Sequence, residues 1–159
     1  MSNSKTERDN AFQQACRYLS SRALSEMELS MKLKRKGFTR EAVEDALERL
    51  KEFKYLNDRE LAESVGQGLA DRDYGPIRVR KKLLDRGFDE SLSEEILEDL
   101  FERVDLVAAA VKCGRRRDKT LANKPLLKRK ASVMRHLSGR GFPMESIGRA
   151  MEEIYEHEG

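Results

Sequence analysis

The side chains of this chain with the clearest chemical use are cations, and three groups of them stand out by type and spacing. Arg78, Lys81 and Lys82 fall along one flank of a helix whose Val79 and Leu83 face a core. Arg115, Arg116 and Arg117 form an unbroken run, and Lys124, Lys128 and Arg135 lie roughly opposite Val133 and Leu137 on a further helix. Cations held on one accessible face bind phosphate groups, because affinity comes from neutralising the phosphates and releasing their counterions. Between Lys112 and Arg140 eleven Lys and Arg face the single acid Asp118, while between Phe88 and Asp105 eight acids face the single Arg103. The formal net charge of +3 therefore conceals a strongly polarised chain.

Catalytic chemistry has no comparable candidates, and the chain is expected not to be an enzyme. There is no glycine-rich loop ending in Gly-Lys for phosphates. Gly66-Gln67-Gly68 and Gly139-Arg140-Gly141 each lack the third glycine and the strand of a dinucleotide site, so they read as packing or turn glycines. The two histidines, His136 and His157, read as solvated surface residues. The carboxylates sit beside Lys and Arg at helix-surface spacing, with no isolated acid pair for proton transfer. Cys16 and Cys113 fit no metal spacing and read as reduced thiols of a cytoplasmic protein. No catalytic residue, metal or cofactor is assigned.

The elements that must position the cations follow from an internal repeat. Gly-Phe occurs at Gly37-Phe38, Gly87-Phe88 and Gly141-Phe142, each preceded by a basic residue: Lys36, Arg86 and Arg140. Before the glycines stand Leu29/Leu33, Val79/Leu83 and Val133/Leu137. After them stand Val43/Ala46/Leu47/Leu50, Ser93/Ile96/Leu97/Leu100 and Ile147/Ala150/Met151/Ile154. This is the apolar spacing of two amphipathic helices meeting at a glycine that can take the left-handed conformation, with the phenylalanine folding back into the hairpin. Ser25 with Glu28 reads as a capping box, flanked by the apolar pair Leu24 and Leu29; Asn57 and Glu60 repeat the pattern. Pro76 follows Gly75 at a first helical position. A third helix precedes each hairpin, with a loop expected over about 114–124.

The expected architecture is all-α: a polar, mobile tail over residues 1–8, then three three-helix repeats at 10–52, 57–101 and 103–156. Each unit is too small to close its own core, so the repeats are expected to stack into an elongated, curved, right-handed-type helical-repeat array. Charged and hydrophobic residues each make up 38% of the chain, and no apolar run approaches the length that crosses a membrane. The N-terminus lacks the apolar core of a secretion signal, so a cytoplasmic location without membrane contact is expected.

A helix pair meeting at a glycine invites a helix-turn-helix reading, but the helices after Gly87 and Gly141 are acidic, and phosphates would repel them. Phe38, Phe88 and Phe142 read as core rather than as base-stacking groups. Any nucleic-acid contact falls instead to the helices before each glycine and to the 114–124 segment.

The residues resemble the RecX regulatory proteins, which act on the RecA recombinase. The likeness runs through Arg22-Ala23-Leu24-Ser25-Glu26-Met27-Glu28-Leu29, Lys32-Leu33, Lys36-Gly37-Phe38, Tyr55-Leu56-Asn57-Asp58 and Tyr74-Gly75-Pro76-Ile77-Arg78-Val79-Arg80. It continues in Leu83, Arg86-Gly87-Phe88, Leu137, Arg140-Gly141-Phe142 and Ile147. Lys54 stands where the family usually has Gly, Asn57 replaces an Asp, and Leu61 stands where Phe is common. The resemblance implies three tandem three-helix repeats that bind RecA and its filament on single-stranded DNA. It also implies a block on filament extension, ATPase, strand exchange and co-protease activity, so that recombination, DNA repair and the SOS response are modulated. Many such proteins also touch DNA. A monomer is expected, with Arg78, Lys81 and Lys82 as first contacts. The alternatives are a sequence-independent DNA-binding protein acting through its basic third repeat, and a helical scaffold for another protein.

Overall fold

The computed structural model of the chain describes residues 2–158 and contains nine α-helices and no strand among them. In order these are α1 (Ser2–Ser21), α2 (Glu26–Lys36), α3 (Arg40–Glu52), α4 (Asp58–Asp71), α5 (Pro76–Asp85), α6 (Glu90–Phe101), α7 (Leu106–Lys119), α8 (Leu126–Arg140) and α9 (Met144–Tyr155). The helices follow a threefold rhythm, with short turns at the three Gly-Phe positions. Contacts divide the chain into two compact units: residues up to 64 with 83–93, and residues 65–82 with 94 onward.

In the first unit α1 lies along α3, and Ala11, Ala15, Leu29, Leu33, Val43, Ala46 and Leu50 form a buried apolar cluster. The Ser25–Glu28 capping box closes as its spacing requires: Glu28 N–H donates to Ser25 Oγ (3.1 Å) and Ser25 N–H donates to Glu28 Oε1 (2.9 Å). Helix α1 begins at Ser2, within the 1–8 segment expected as a polar tail; Met1 lies outside the described residues. Cross-helix bonds tie down these first turns. Thr39 N–H donates to Glu7 Oε1 at 2.9 Å, and Arg49 pairs with Asp9 at 3.0 Å.

In the second unit α7 lies along α9 and α8, around Ala110, Val111, Val133, Leu137, Ile147 and Ala150. The loop expected over 114–124 begins only after Lys119, so the Arg115-Arg116-Arg117 run is helical. The cause is Gly114. It reads as a helix breaker, yet it is buried, and a Cβ there would stand 2.5 Å from Ile154 Cδ1 and 3.2 Å from Val133 Cγ1. Close helix packing therefore offsets the helix cost of glycine. The end of α7 is then pinned by Asp118, which accepts from Arg129 Nη2 (2.7 Å) and Tyr155 Oη (2.8 Å).

The basic-Gly-Phe triplet closes the same joint once in each unit. In the first, Ser25 Oγ donates to the Arg86 carbonyl (2.5 Å), Arg86 Nη2 donates to the Ala23 carbonyl (3.0 Å) and to Glu28 Oε1 (2.7 Å), and Met27 packs on Gly87. In the second, Gly75 N–H donates to the Arg140 carbonyl (2.8 Å) and Ile77 N–H to that of Gly141 (3.0 Å). Arg140 Nη2 donates to the Arg72 carbonyl (2.7 Å), with its guanidinium 4.2 Å from the centre of the Tyr74 ring. All three glycines have positive φ. Phe88 and Phe142 are buried, and Phe38 is half-buried against the first core.

Candidate functional site

All nine cations singled out from the sequence fall in the second unit, but they do not share one environment. On α7, Lys112, Arg115, Arg116 and Lys119 are all exposed and follow the i, i+3, i+4, i+7 spacing that lines up side chains on one helix face. Ala108 and Val111 form the apolar floor of a shallow hollow beside them. Arg116 is paired with Asp73, on the turn between α4 and α5. Arg117 points away from this row, half-buried, and donates weakly to Ser132 Oγ (3.3 Å).

On α8, Lys128 and Arg135 are exposed two turns apart, opposite buried Val133 and Leu137, and exposed Lys124 precedes the helix. On α5, Lys81 and Lys82 are exposed, whereas Arg78 is half-buried. The Arg78 Cβ and backbone press on Gly141, and its Nε is enclosed without a hydrogen-bond partner. Arg78 therefore belongs to the joint as much as to the surface.

Sequence reasoning missed Lys112 and Lys119, although their spacing with Arg115 and Arg116 was readable once Gly114 is allowed inside a helix. It also placed His136 in solvent, whereas His136 is half-buried. Burial pushes its pKa below the usual histidine value, and Arg140, Arg117 and Arg116 push it the same way. Burial raises the Cys113 thiol above its ordinary value against the opposing pull of Arg140 and Arg116, which makes it a poor nucleophile. Asp118 is held below the ordinary aspartate range, chiefly by the hydrogen bond from Arg129. Asp118 thereby fastens α7 to α8, through Arg129, and to α9, through Tyr155. Among the described residues no cluster of three His, Cys, Asp or Glu is placed to hold a metal, and no helix is long and apolar enough to cross a membrane.

The geometry is thus an all-helical repeat bearing cationic faces on α5, α7 and α8. Against family models, residues 11–50 match the first three-helix domain of RecX and residues 104–151 match the third. A regulatory protein RecX of Chlorobium phaeobacteroides is 31% identical over 151 residues, a match covering 94% of this chain and 97% of that protein. The chain belongs to the RecX family.

A regulatory protein RecX of Bacillus licheniformis is 34% identical over 152 residues; the match covers 92% of this chain but 56% of that protein, so the chain spans about half of this longer relative. The fold is shared with the crystal structure of RecX from Lactobacillus salivarius, with a TM-score of 0.80 at 18% identity over 94% of this chain and 97% of that one. A second RecX crystal structure gives 0.76 at 24% identity over 95% and 72%. At such identities these likenesses bear on the fold alone. One departure from the usual RecX pattern now has a physical reading. Lys54, at the position where Gly is usual, has φ 61, a left-handed backbone that glycine adopts without strain.

Proposed function

We propose that this RecX-family protein is a regulator of RecA. It binds RecA and RecA filaments on single-stranded DNA and inhibits filament extension, ATPase, strand exchange and co-protease activity, and so modulates recombination, DNA repair and the SOS response. The observation that carries this reading is membership of a family of regulatory proteins, matched over more than nine-tenths of the chain. The cationic faces supply the contacts. Lys112, Arg115, Arg116 and Lys119 on α7, Lys81 and Lys82 on α5, and Lys124, Lys128 and Arg135 meet acidic protein surface or phosphates. Arg78 and Arg117, being half-buried, contribute less. The protein works in the cytoplasm as a monomer, without catalysis or a cofactor of its own, since the ATP belongs to the partner.

The test is the DNA-dependent ATPase of RecA on single-stranded DNA at increasing amounts of this protein. Dose-dependent inhibition is expected, weakened by charge reversal at Lys112, Arg115 and Lys119 with helical content unchanged. No effect at saturating protein would overturn the reading.

The α7 row also favours a second reading, direct DNA binding through the third repeat. With Arg116 engaged by Asp73, three neutralised phosphates on a single strand give a slope of log K against log salt of about −2.1. That slope on naked DNA, with no added effect of RecA, would favour it.

A further inference from the structure

The turn between α3 and α4 displays an aromatic–cation–aromatic tip. Phe53 and Tyr55 are 57% and 63% exposed, although large rings gain most from burial. The two rings are stacked, with centroids 5.8 Å apart at 25°, and Phe53 meets Phe12 at 5.9 Å. The Arg49 guanidinium lies 4.2 Å from the centre of the Phe12 ring. A row of planar groups therefore leads from Arg49 out to Tyr55.

The backbone fixes this display. Tyr55 N–H donates to the Leu50 carbonyl (2.9 Å), as does Leu56 N–H (3.3 Å), and Lys54 N–H donates to that of Lys51 (3.0 Å). Lys54 holds its left-handed φ at a cost of about 1 kcal/mol relative to an unstrained backbone. Tyr55 borders a shallow hollow of about 300 Å³, with Leu24, Leu56 and Leu61 on its apolar side and Lys54, Asn57 and Glu60 at its polar rim. Asn57 caps α4 through its carbonyl oxygen, which accepts from Glu60 N–H (3.2 Å), so its NH₂ group remains a donor.

A planar ligand with apolar faces and polar edges fits this arrangement, and Lys54 selects among the candidates. Its ammonium supplies one contact for a phosphate beside a stacked group, which a base carried on a phosphate chain has and a free guanidinium lacks. Glu60 at the rim and Glu52 beside Phe53 keep the tip from acting as a general anion site, so stacking must dominate over charge. We propose that the Phe53-Lys54-Tyr55 tip and its hollow are a base-binding subsite for single-stranded nucleic acid. One unpaired base stacks on Tyr55, its edge meets Asn57 and Glu60, and the adjoining phosphate meets Lys54. The subsite belongs to the first unit and the cationic faces to the second, and it does not depend on the reading of those faces.

The test is fluorescence anisotropy with a labelled oligothymidylate and an abasic strand of equal length, titrated at several salt concentrations. The two probes share a phosphate backbone and differ only in bases. The native chain should prefer the thymidylate strand by about five-fold or more. Tyr55→Ala should abolish that preference without changing the salt slope, and Tyr55→Phe should keep it. Lys54→Ala should flatten the salt slope on both strands by about 0.7. Equal binding of the two strands by the native chain, binding of neither, or an intact preference in Tyr55→Ala with native helical content overturns the subsite. An intact preference alongside lost RecA inhibition in Tyr55→Ala would assign the tip to a protein partner instead. Base preference without any effect on RecA would leave the subsite standing while the regulatory reading falls.

Discussion

Gly37, Gly87 and Gly141 make the same backbone demand, with φ of +103°, +83° and +92°, but stand in different surroundings. Replacing each by alanine separates conformational strain from close contact. The left-handed conformation alone costs alanine about 1–2 kcal/mol, and reduced freedom of the unfolded chain returns about 0.4–1 kcal/mol of that. At Gly37 nothing lies within 4 Å of a new Cβ, so Gly37→Ala should cost about 1 kcal/mol. At Gly87 the new atom would stand 2.6 Å from Met27 Cβ and 2.7 Å from its Sδ. The methionine sulfur can swing away but its Cβ cannot, and the overpacking adds about 1–2 kcal/mol. At Gly141 the clash is with the Cβ and backbone nitrogen of Arg78, on the first turn of α5, which Gly75 N–H and Ile77 N–H tie to this same glycine turn. Backbone must move there, so about 3 kcal/mol of overpacking is added, and about 1 kcal/mol more for a weakened hydrogen bond. The expected order of loss is Gly37→Ala, then Gly87→Ala, then Gly141→Ala, read from urea unfolding followed by far-ultraviolet circular dichroism. For a chain of this length each kcal/mol corresponds to about 2–4 °C in Tm. Equal losses at the three positions, or a Gly141→Ala cost within about 1 kcal/mol of Gly37→Ala, would refute the joint as a close backbone contact.

Three further outcomes follow from single residues. Ser93 is fully buried with its Oγ unpartnered, at the repeat position held by Val43 and Ile147, so Ser93→Ala should raise stability by about 1 kcal/mol; a loss would show that the hydroxyl has a partner. Lys54→Gly should stabilise by about 0.5–1 kcal/mol by relieving the left-handed backbone, and a lower unfolding midpoint would contradict that strain. His136 has a folded pKa below its unfolded value. As pH falls, the unfolded chain takes up the proton first, so stability should decline from just above pH 6.5 downward through the folded value. His136→Gln should flatten the decline, and an unchanged pH profile would remove the histidine from the account.

Much of the fold was legible because each repeat announces its own ends. Ser25 and Glu28 cap α2 as their spacing demands, Pro76 opens α5, and the three Gly-Phe pairs stand at left-handed turns. The misreadings have physical causes. Gly114 has the local propensity of a breaker, and only the approach of Ile154 and Val133, remote in sequence, makes it a packing residue within α7. Residues 2–8 have no apolar spacing of their own, and their helical turns are held through Glu7 and Asp9 by partners more than thirty residues away. Neither signal exists in a local window, which is all that propensity and periodicity report.

The site was less legible because a sequence counts charges without saying which are already engaged. Arg86 and Arg140 look like the surface cations beside them, yet each donates to a backbone carbonyl; Arg86 also pairs with Glu28, and Arg140 also stacks on Tyr74, a use that suits a planar guanidinium. Arg129 is likewise committed, to Asp118. The cations left for a partner are those spaced along an exposed helix face opposite a buried one, as Lys112, Arg115 and Lys119 are on α7. Burial of the opposite face fixes that helix's rotation, and rotation alone aligns the row. The packing that makes the repeat stable thus also presents its charge, so a substitution that loosens the α7–α8–α9 core would weaken binding without touching a single cation. Charge reversal on the exposed row should do the converse, which is why the two kinds of variant must be read against unfolding data before either is credited to a contact.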